Sequence, residues 1–268
     1  MVSAQMAGDG PTAIEAAMKL QQAISDDAAR TFPWVQPIKA SPLLAHAQFS
    51  APETILSLQR PSGGFPYVEG LWRYARGVAL AAKGEHAAAE AEAEAIAALS
   101  RDTDWSPLVA GGLPAPDVLA IAREVVLGRI AQATGDAAAA IAAFDRAAAI
   151  EERLTYMEPP FWYYPVRQSL GAARLMAGDA EGAEEAFRAS LVKAPNNGWA
   201  LFGLMQAQAR RGAAEAAQDG SSPGASLGRG PQRPQSWSAL IDAARIGTQW
   251  SPPAVRPRGA RCRAPFNR

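Results

Sequence analysis

With Cys262 as its only cysteine, the chain can form no internal disulfide, and nothing in it marks oxidative secretion. Histidine is nearly as scarce. His46 and His86 stand alone, without the spacing of a zinc-binding helix, so neither a metal nor any other cofactor is expected. No apolar run approaches the roughly 18–20 residues of a membrane span. The opening MVSAQMAGDG lacks the basic and apolar regions of a secretory leader, so a cytoplasmic location is the default expectation. A nucleophile elbow, a phosphate loop, a dinucleotide fingerprint and a convincing carboxylate pair are also missing, which argues against an enzyme. Aromatic residues make up only 7% of a chain that is 49% hydrophobic. Alanine fills the difference, which favours closely packed helices over strands.

Charge is balanced overall but not along the chain. Through Glu215, 18 Lys and Arg face 24 Asp and Glu, a balance of −6; beyond it, eight Arg face Asp219 and Asp242, a balance of +6. The basic part, residues 218–268, is rich in Arg, Pro, Gly and Ser, with helical periodicity only over Trp237–Ile246. Such composition buries too little apolar surface to offset chain entropy, so a disordered tail is expected. Two origins fit it: a native disordered tail, or a GC-rich gene read out of frame from about residues 212–220. Its arginines would attract nucleic acid only through charge, so no specific nucleic-acid partner is expected.

What the acidic part has is repetition. A glycine is followed seven residues later by a Gly-Asp or Gly-Glu turn, then by alanines and an aromatic. The skeleton reads Gly171, Gly178-Asp179, Ala183, Phe187, and again Gly128, Gly135-Asp136, Ala140, Phe144. A weaker copy is Gly77, Gly84-Glu85, Ala89, Ala93. Each turn glycine suits a left-handed helix end, and the acidic residue after it suits the first turn of the next helix. Helix pairs are therefore expected over Leu71–Leu99, Asp117–Ile150 and Phe161–Val192, with a further first helix over Trp199–Arg211. Successive first-helix glycines lie 51, 43 and 32 residues apart. The last spacing is close to a repeat of roughly 34 residues, and the longer ones leave room for inserted loops such as Ser100–Pro116. Gly8-Asp9 superposes on Gly135-Asp136 and leaves only seven residues for a preceding helix, so the chain is expected to begin inside a repeat.

On Leu170-Gly171, Gly178, Ala183, Phe187, Pro195 and Trp199 to Gly203, residues 65–217 resemble the tetratricopeptide repeat family. The segments FPYVEGLWRYARGVA, PAPDVLAIA, YMEPPFWYYPVRQSLGA and PNNGWALFGL are similar to those of uncharacterised bacterial members. The resemblance implies an all-α, right-handed α-solenoid of antiparallel helix pairs. It implies further repeats upstream in such relatives and one more helix pair after the last first helix. Residues 1–64 would then hold a truncated repeat and linking helices.

In this family the first helices face a concave groove that contacts ligands. With the glycine as register mark, the implied groove positions are Tyr74, Arg129, Gln132, Gln168, Met176, Asn197, Leu204 and Gln208. They lack the Lys/Asn pattern with which some members clamp a C-terminal carboxylate. The densest cluster elsewhere is Tyr156 to Pro165 followed by Arg167. Its rings, Trp162 and Tyr163 among them, suit either a ligand patch, with Arg167 as clamp, or a filler between repeats. Phe32 to Pro37 parallels it as a lead into a helix. Asn197 suits a helix cap, and His86, just past a turn glycine, is expected to be exposed. The partner expected is a protein or peptide segment docked in the groove of a non-enzymatic scaffold. The alternative is an accessory or regulatory region of a larger enzyme or redox protein.

Overall fold

The computed structural model describes residues 1–218, with side chains through Glu215, and the tail expectation falls outside the described residues. Among them every regular element is helical. The helices are α1 (Val2–Ala7), α2 (Gly10–Gln22), α3 (Asp26–Thr31), α4 (Gln36–Phe49), α5 (Pro52–Leu56), α6 (Pro66–Ala82) and α7 (His86–Asp102). They continue with α8 (Ser106–Ala110), α9 (Ala115–Thr134), α10 (Ala137–Arg153), α11 (Arg167–Met176), α12 (Ala180–Lys193) and α13 (Gly198–Gln218). A 3-10 turn, Pro33–Val35, leads into α4. No helix among the described residues is long and apolar enough to cross a membrane.

The turn chemistry carries the repetition. Gly8, Gly84, Gly135 and Gly178 have φ of 78°, 78°, 79° and 83°, a left-handed conformation that an L side chain adopts only with strain. At each, the next residue's N–H returns to a carbonyl five positions back: Asp9 to Ala4, Glu85 to Leu80, Asp136 to Ala131, Asp179 to Arg174, at 2.9–3.0 Å. These bonds close the helix ends. The acidic residue sits one step earlier than expected, at the cap rather than in the first turn. Asp9, Asp136 and Asp179 accept the N–H of Thr12, Ala139 and Gly182 at 3.1, 2.9 and 2.8 Å. Glu85, one methylene longer, makes no cap bond and pairs with Lys83 at 2.9 Å.

Each turn folds a helix back on its predecessor, pairing α6 with α7, α9 with α10, and α11 with α12. Neighbouring pairs pack through α7 on α9, α10 on α11, and α12 on α13. The first-helix glycines sit under rings. A Cβ on Gly128 would lie 2.7 Å from Phe144, and one on Gly171 would lie 2.9 Å from Phe187; Gly203 lies against the same Phe187 ring. In the weaker copy Gly77 is pressed instead by Val126 of the following first helix, at 2.9 Å. One continuous core runs from Ala29 to Ala186, and a smaller one joins Phe187 to α13.

Several expected boundaries shift. α11 begins at Arg167 rather than Phe161, because Pro165 disfavours helical geometry at Tyr164 and the rings before it turn inward. The other helices run further than expected: α6 from Pro66, α7 to Asp102, α9 from Ala115, α10 to Arg153 and α13 to Gln218. Within Ser100–Pro116, Trp105 and Leu113 are buried and α8 forms between them. His86 is half-buried, and its Nδ1 has no hydrogen-bond partner among the described residues.

Gly128→Ala is expected to destabilise the fold by about 1–3 kcal/mol, although alanine is the better helix former, because the added carbon overpacks Phe144. A cycle with Phe144→Leu, followed by urea denaturation, should give a coupling of about 0.5–3 kcal/mol. Strict additivity would mean that the two positions do not constrain each other.

Candidate functional site

The segment between α10 and α11 is drawn into the molecule at both ends of its base. The Glu151 carboxylate accepts the Val166 N–H at 3.0 Å, and Arg167 donates to Glu152. Burial raises the Glu151 pKa, against the opposing effects of Lys193 and the Val166 N–H. Between these ties Trp162, Tyr163 and Tyr164 are 2%, 6% and 5% exposed, whereas Tyr156 and Met157 at the tip face solvent. The rings meet α6: Trp162 lies edge-on to Tyr74 at 5.1 Å between centroids, and Tyr163 packs edge-on to Tyr164 at 4.8 Å. The Tyr74 and Tyr163 hydroxyls are 2.8 Å apart in a hydrogen bond. Burial pushes the pKa of Tyr67, Tyr74 and Tyr163 far above the ordinary value. Tyr67 Oη and Trp162 Nε1 are buried without a partner among the described residues.

A polar chain leads outward from this cluster. Ser169 Oγ donates to Tyr164 Oη at 3.2 Å, and Arg129 Nη2 donates to Ser169 at 3.1 Å. Arg129 Nη1 donates to Gln132 Oε1 at 2.9 Å, and its guanidinium lies 5.4 Å from the Phe144 ring centre. Gln132 in turn reaches Met176 Sδ at 3.8 Å. Along the same first helices, Asn197 caps α13 by accepting the N–H of Trp199 at 3.0 Å and of Ala200 at 3.4 Å. Its amide donates to Gln168 Oε1 at 2.7 Å.

The residues singled out from sequence therefore divide. Tyr74, Trp162 and Tyr163 come together in the interior rather than on an open surface. Arg129 and Gln132 on α9 meet Ser169 on α11, and Gln168 meets Asn197. Arg167 stands at the loop base against Glu152, and Gln208 is exposed and paired with Glu184 of α12 at 3.4 Å, apart from the row. Ser169, which joins the aromatic and polar parts, was missed; its only sequence signal is its place beside Gln168. No group of three or more His, Cys, Asp or Glu suited to a metal occurs among the described residues. No protein-family model, curated protein or solved structure matches the chain.

Tyr74→Phe strands the buried Tyr163 hydroxyl and is expected to cost about 1–3 kcal/mol in urea denaturation. Adding Tyr163→Phe should recover part of that loss; a double variant as unstable as the sum of the singles would remove the pair as a unit. Alkaline titration offers a second check. Tyr67, Tyr74 and Tyr163 stay neutral when folded, whereas unfolding lets them ionise near 10.0. Their contribution is full below that pH and is lost as pH rises above it, because only the unfolded chain releases these protons. Absorbance at about 295 nm should show part of the tyrosine titrating only together with loss of helical circular dichroism. Complete titration with helicity intact would contradict the burial.

Proposed function

We propose that the chain is a non-enzymatic scaffold of the tetratricopeptide type, an α-solenoid that docks a protein segment along its first helices. The observation that carries this reading is the recurrence of one unit, in which Gly128 under Phe144 and Gly171 under Phe187 are each followed by a left-handed Gly-Asp turn. Helix pairs joined by such turns and stacked through alternate helices bury a core continuously and leave one set of helices facing a common side. On that side α9, α11 and the start of α13 carry Arg129, Gln132, Gln168 and Asn197, in contact across helices. Side chains from successive repeats in one row are what an extended segment reads. The rings of Trp162 and Tyr163 close the adjoining part of that face and Gln132 and Asn197 are themselves buried, so the half-buried Arg129 and Gln168 are the docking stretch in this reading.

Peptide-display selection against the chain should return a segment whose affinity falls at least tenfold in Gln168→Glu. That substitution keeps an acceptor for Asn197, so circular dichroism should not change. Selection that returns no segment above a helical control protein, or only segments indifferent to this substitution, would sink the reading.

A further inference from the structure

Exposed aromatic surface is scarce. Among the described residues Phe32, Trp34 and Tyr156 are the rings that stand largely in solvent, and two of these share one site. Phe32 and Trp34 flank Pro33, which opens the 3-10 turn Pro33–Val35, with ring centroids 6.4 Å apart and planes tilted by 58°. The turn is fixed from behind: Val35 is buried, and the buried Gln36 amide donates to the Ala29 carbonyl at 3.4 Å. Helix α8 packs beside the turn and carries Val109, 51% exposed. Gly111 after it lies so near that a Cβ there would stand 4.0 Å from the Trp34 backbone nitrogen. Among the described tryptophans, Trp72, Trp105 and Trp199 donate their indole N–H to backbone carbonyls, and Trp162 is buried. Trp34 alone of that group joins a largely exposed ring to an indole N–H without a partner among the described residues. Rings held outward by a buried frame can be covered with no rearrangement of the fold, and the free donor calls for a carbonyl.

Charge narrows the occupant further. Asp102 and Asp104 lead into α8, exposed and outside any ion pair among the described residues, and outnumber Arg101 beside them. Ser106, through its hydroxyl and its N–H, holds the Asp104 carboxyl below the usual carboxylate range, so that charge persists at neutral pH. The shelf therefore suits a segment with flat apolar surface, free carbonyls and positive charge. Polyproline II geometry leaves every carbonyl without an internal partner and repeats every three residues. Residues 252–258 of this chain read Pro-Pro-Ala-Val-Arg-Pro-Arg, and a proline disfavours helical geometry in the residue before it. At a repeat of three, Pro252 and Val255 share one edge about 9 Å apart, enough to cover both rings. Arg256 and Arg258 add charge, within a stretch beyond Glu215 that carries +6 against −6 for the chain before it. The 33 residues between Gln218 and Pro252 extend to about 110 Å, against a radius of gyration of roughly 17 Å for a compact body of 218 residues. Every face of the body lies within that reach.

We infer that Phe32, Trp34 and Val109 form a docking shelf for residues 252–258 of the same chain. The edge of Pro252 and Val255 covers the rings, the Trp34 indole donates to a carbonyl of the segment, and its arginines face Asp102 and Asp104. The shelf belongs to the turn before α4 and to α8, so it is independent of the proposed docking stretch on α9 and α11.

Cys262 is the only cysteine and lies four residues past Arg258, so a nitroxide attached there reports on the segment in the otherwise unaltered full chain. The signals to follow are the Trp34 indole N–H, assigned by its loss in Trp34→Phe, and the Val109 methyl groups. Both should weaken at least twofold relative to the same sample with the nitroxide reduced. Pro252→Ser combined with Val255→Ser, which touches none of the described helices, should restore most of that intensity. Trp34→Ala should do the same for Val109. Undiminished signals with the nitroxide in place, or a loss that survives the paired serine substitutions, overturn the assignment. A final sample mixes an isotope-labelled Cys262→Ser chain with a spin-labelled chain that carries no isotope. The isotope-labelled signals should stay at full strength there. An equal loss in the mixture would make the occupant a second copy and overturn the same-chain contact.

Discussion

The approach of a glycine backbone to a phenyl ring sets the spacing on which the rest of the helical packing depends. Phe187 lies between Gly171 of α11 and Gly203 of α13, so one ring gauges the distance from α12 to both neighbours. Each helical glycine costs about 1 kcal/mol relative to alanine. A buried phenyl group contributes about 1.5–3 kcal/mol. The exchange is favourable because the ring is nearly fully buried only when no Cβ stands in its way. Alanine does the complementary work on the second helices, where Ala140, Ala147, Ala183 and Ala186 let backbones approach along the remaining seam.

How far this architecture can be read in advance depends on the range of the interaction that sets it. Gly135-Asp136 and Gly178-Asp179 announce themselves because left-handed backbone and an N-cap carboxylate are local demands with few residue solutions. The all-helical class, the helix pairs and the Asn197 cap follow from such demands. The bond between Tyr74 and Tyr163 spans 89 residues and has no local signature. From sequence the aromatic cluster admitted both a surface patch and a filler, and only the partners across the interior place Trp162 and Tyr163 inside. The start of α11 departs from expectation for a related reason: aromatic and helical residues run together from Phe161, and tertiary burial of the rings overrides their continuation as helix. Gln208 meets Glu184 of α12, a contact across helices that its register position does not announce.

The buried loop and the polar chain beside it are two consequences of one insertion. By supplying rings at Trp162, Tyr163 and Tyr164, the segment after α10 fills space beside Tyr74 that the short first-helix side chains do not occupy. Its polar ends then stop at Ser169 and Arg129. The guanidinium lies on the Phe144 ring, the same ring that packs against Gly128. Spacing of the helices and placement of the charge are therefore governed by one side chain, and movement of Phe144 would be felt by both.

The far end of the row is held from outside its own repeat. Helix α1 has six residues, too few to persist alone. The Gln5 carbonyl near its end accepts the side chains of Gln48 from α4 at 3.3 Å and of Trp199 from α13 at 3.2 Å. The same carbonyl also accepts the Gly8 N–H at 3.3 Å, so the two side chains use the spare acceptor capacity of a helix end that its own backbone closes. The result ties the first turn of α13 to α1, while Asn197 caps that turn and Phe187 packs against the following turn at Gly203. Three independent restraints thus converge on the residues that orient the Gln168 amide. The pairing of α1 with α13, across 194 residues, thereby helps to hold the turn that Asn197 caps.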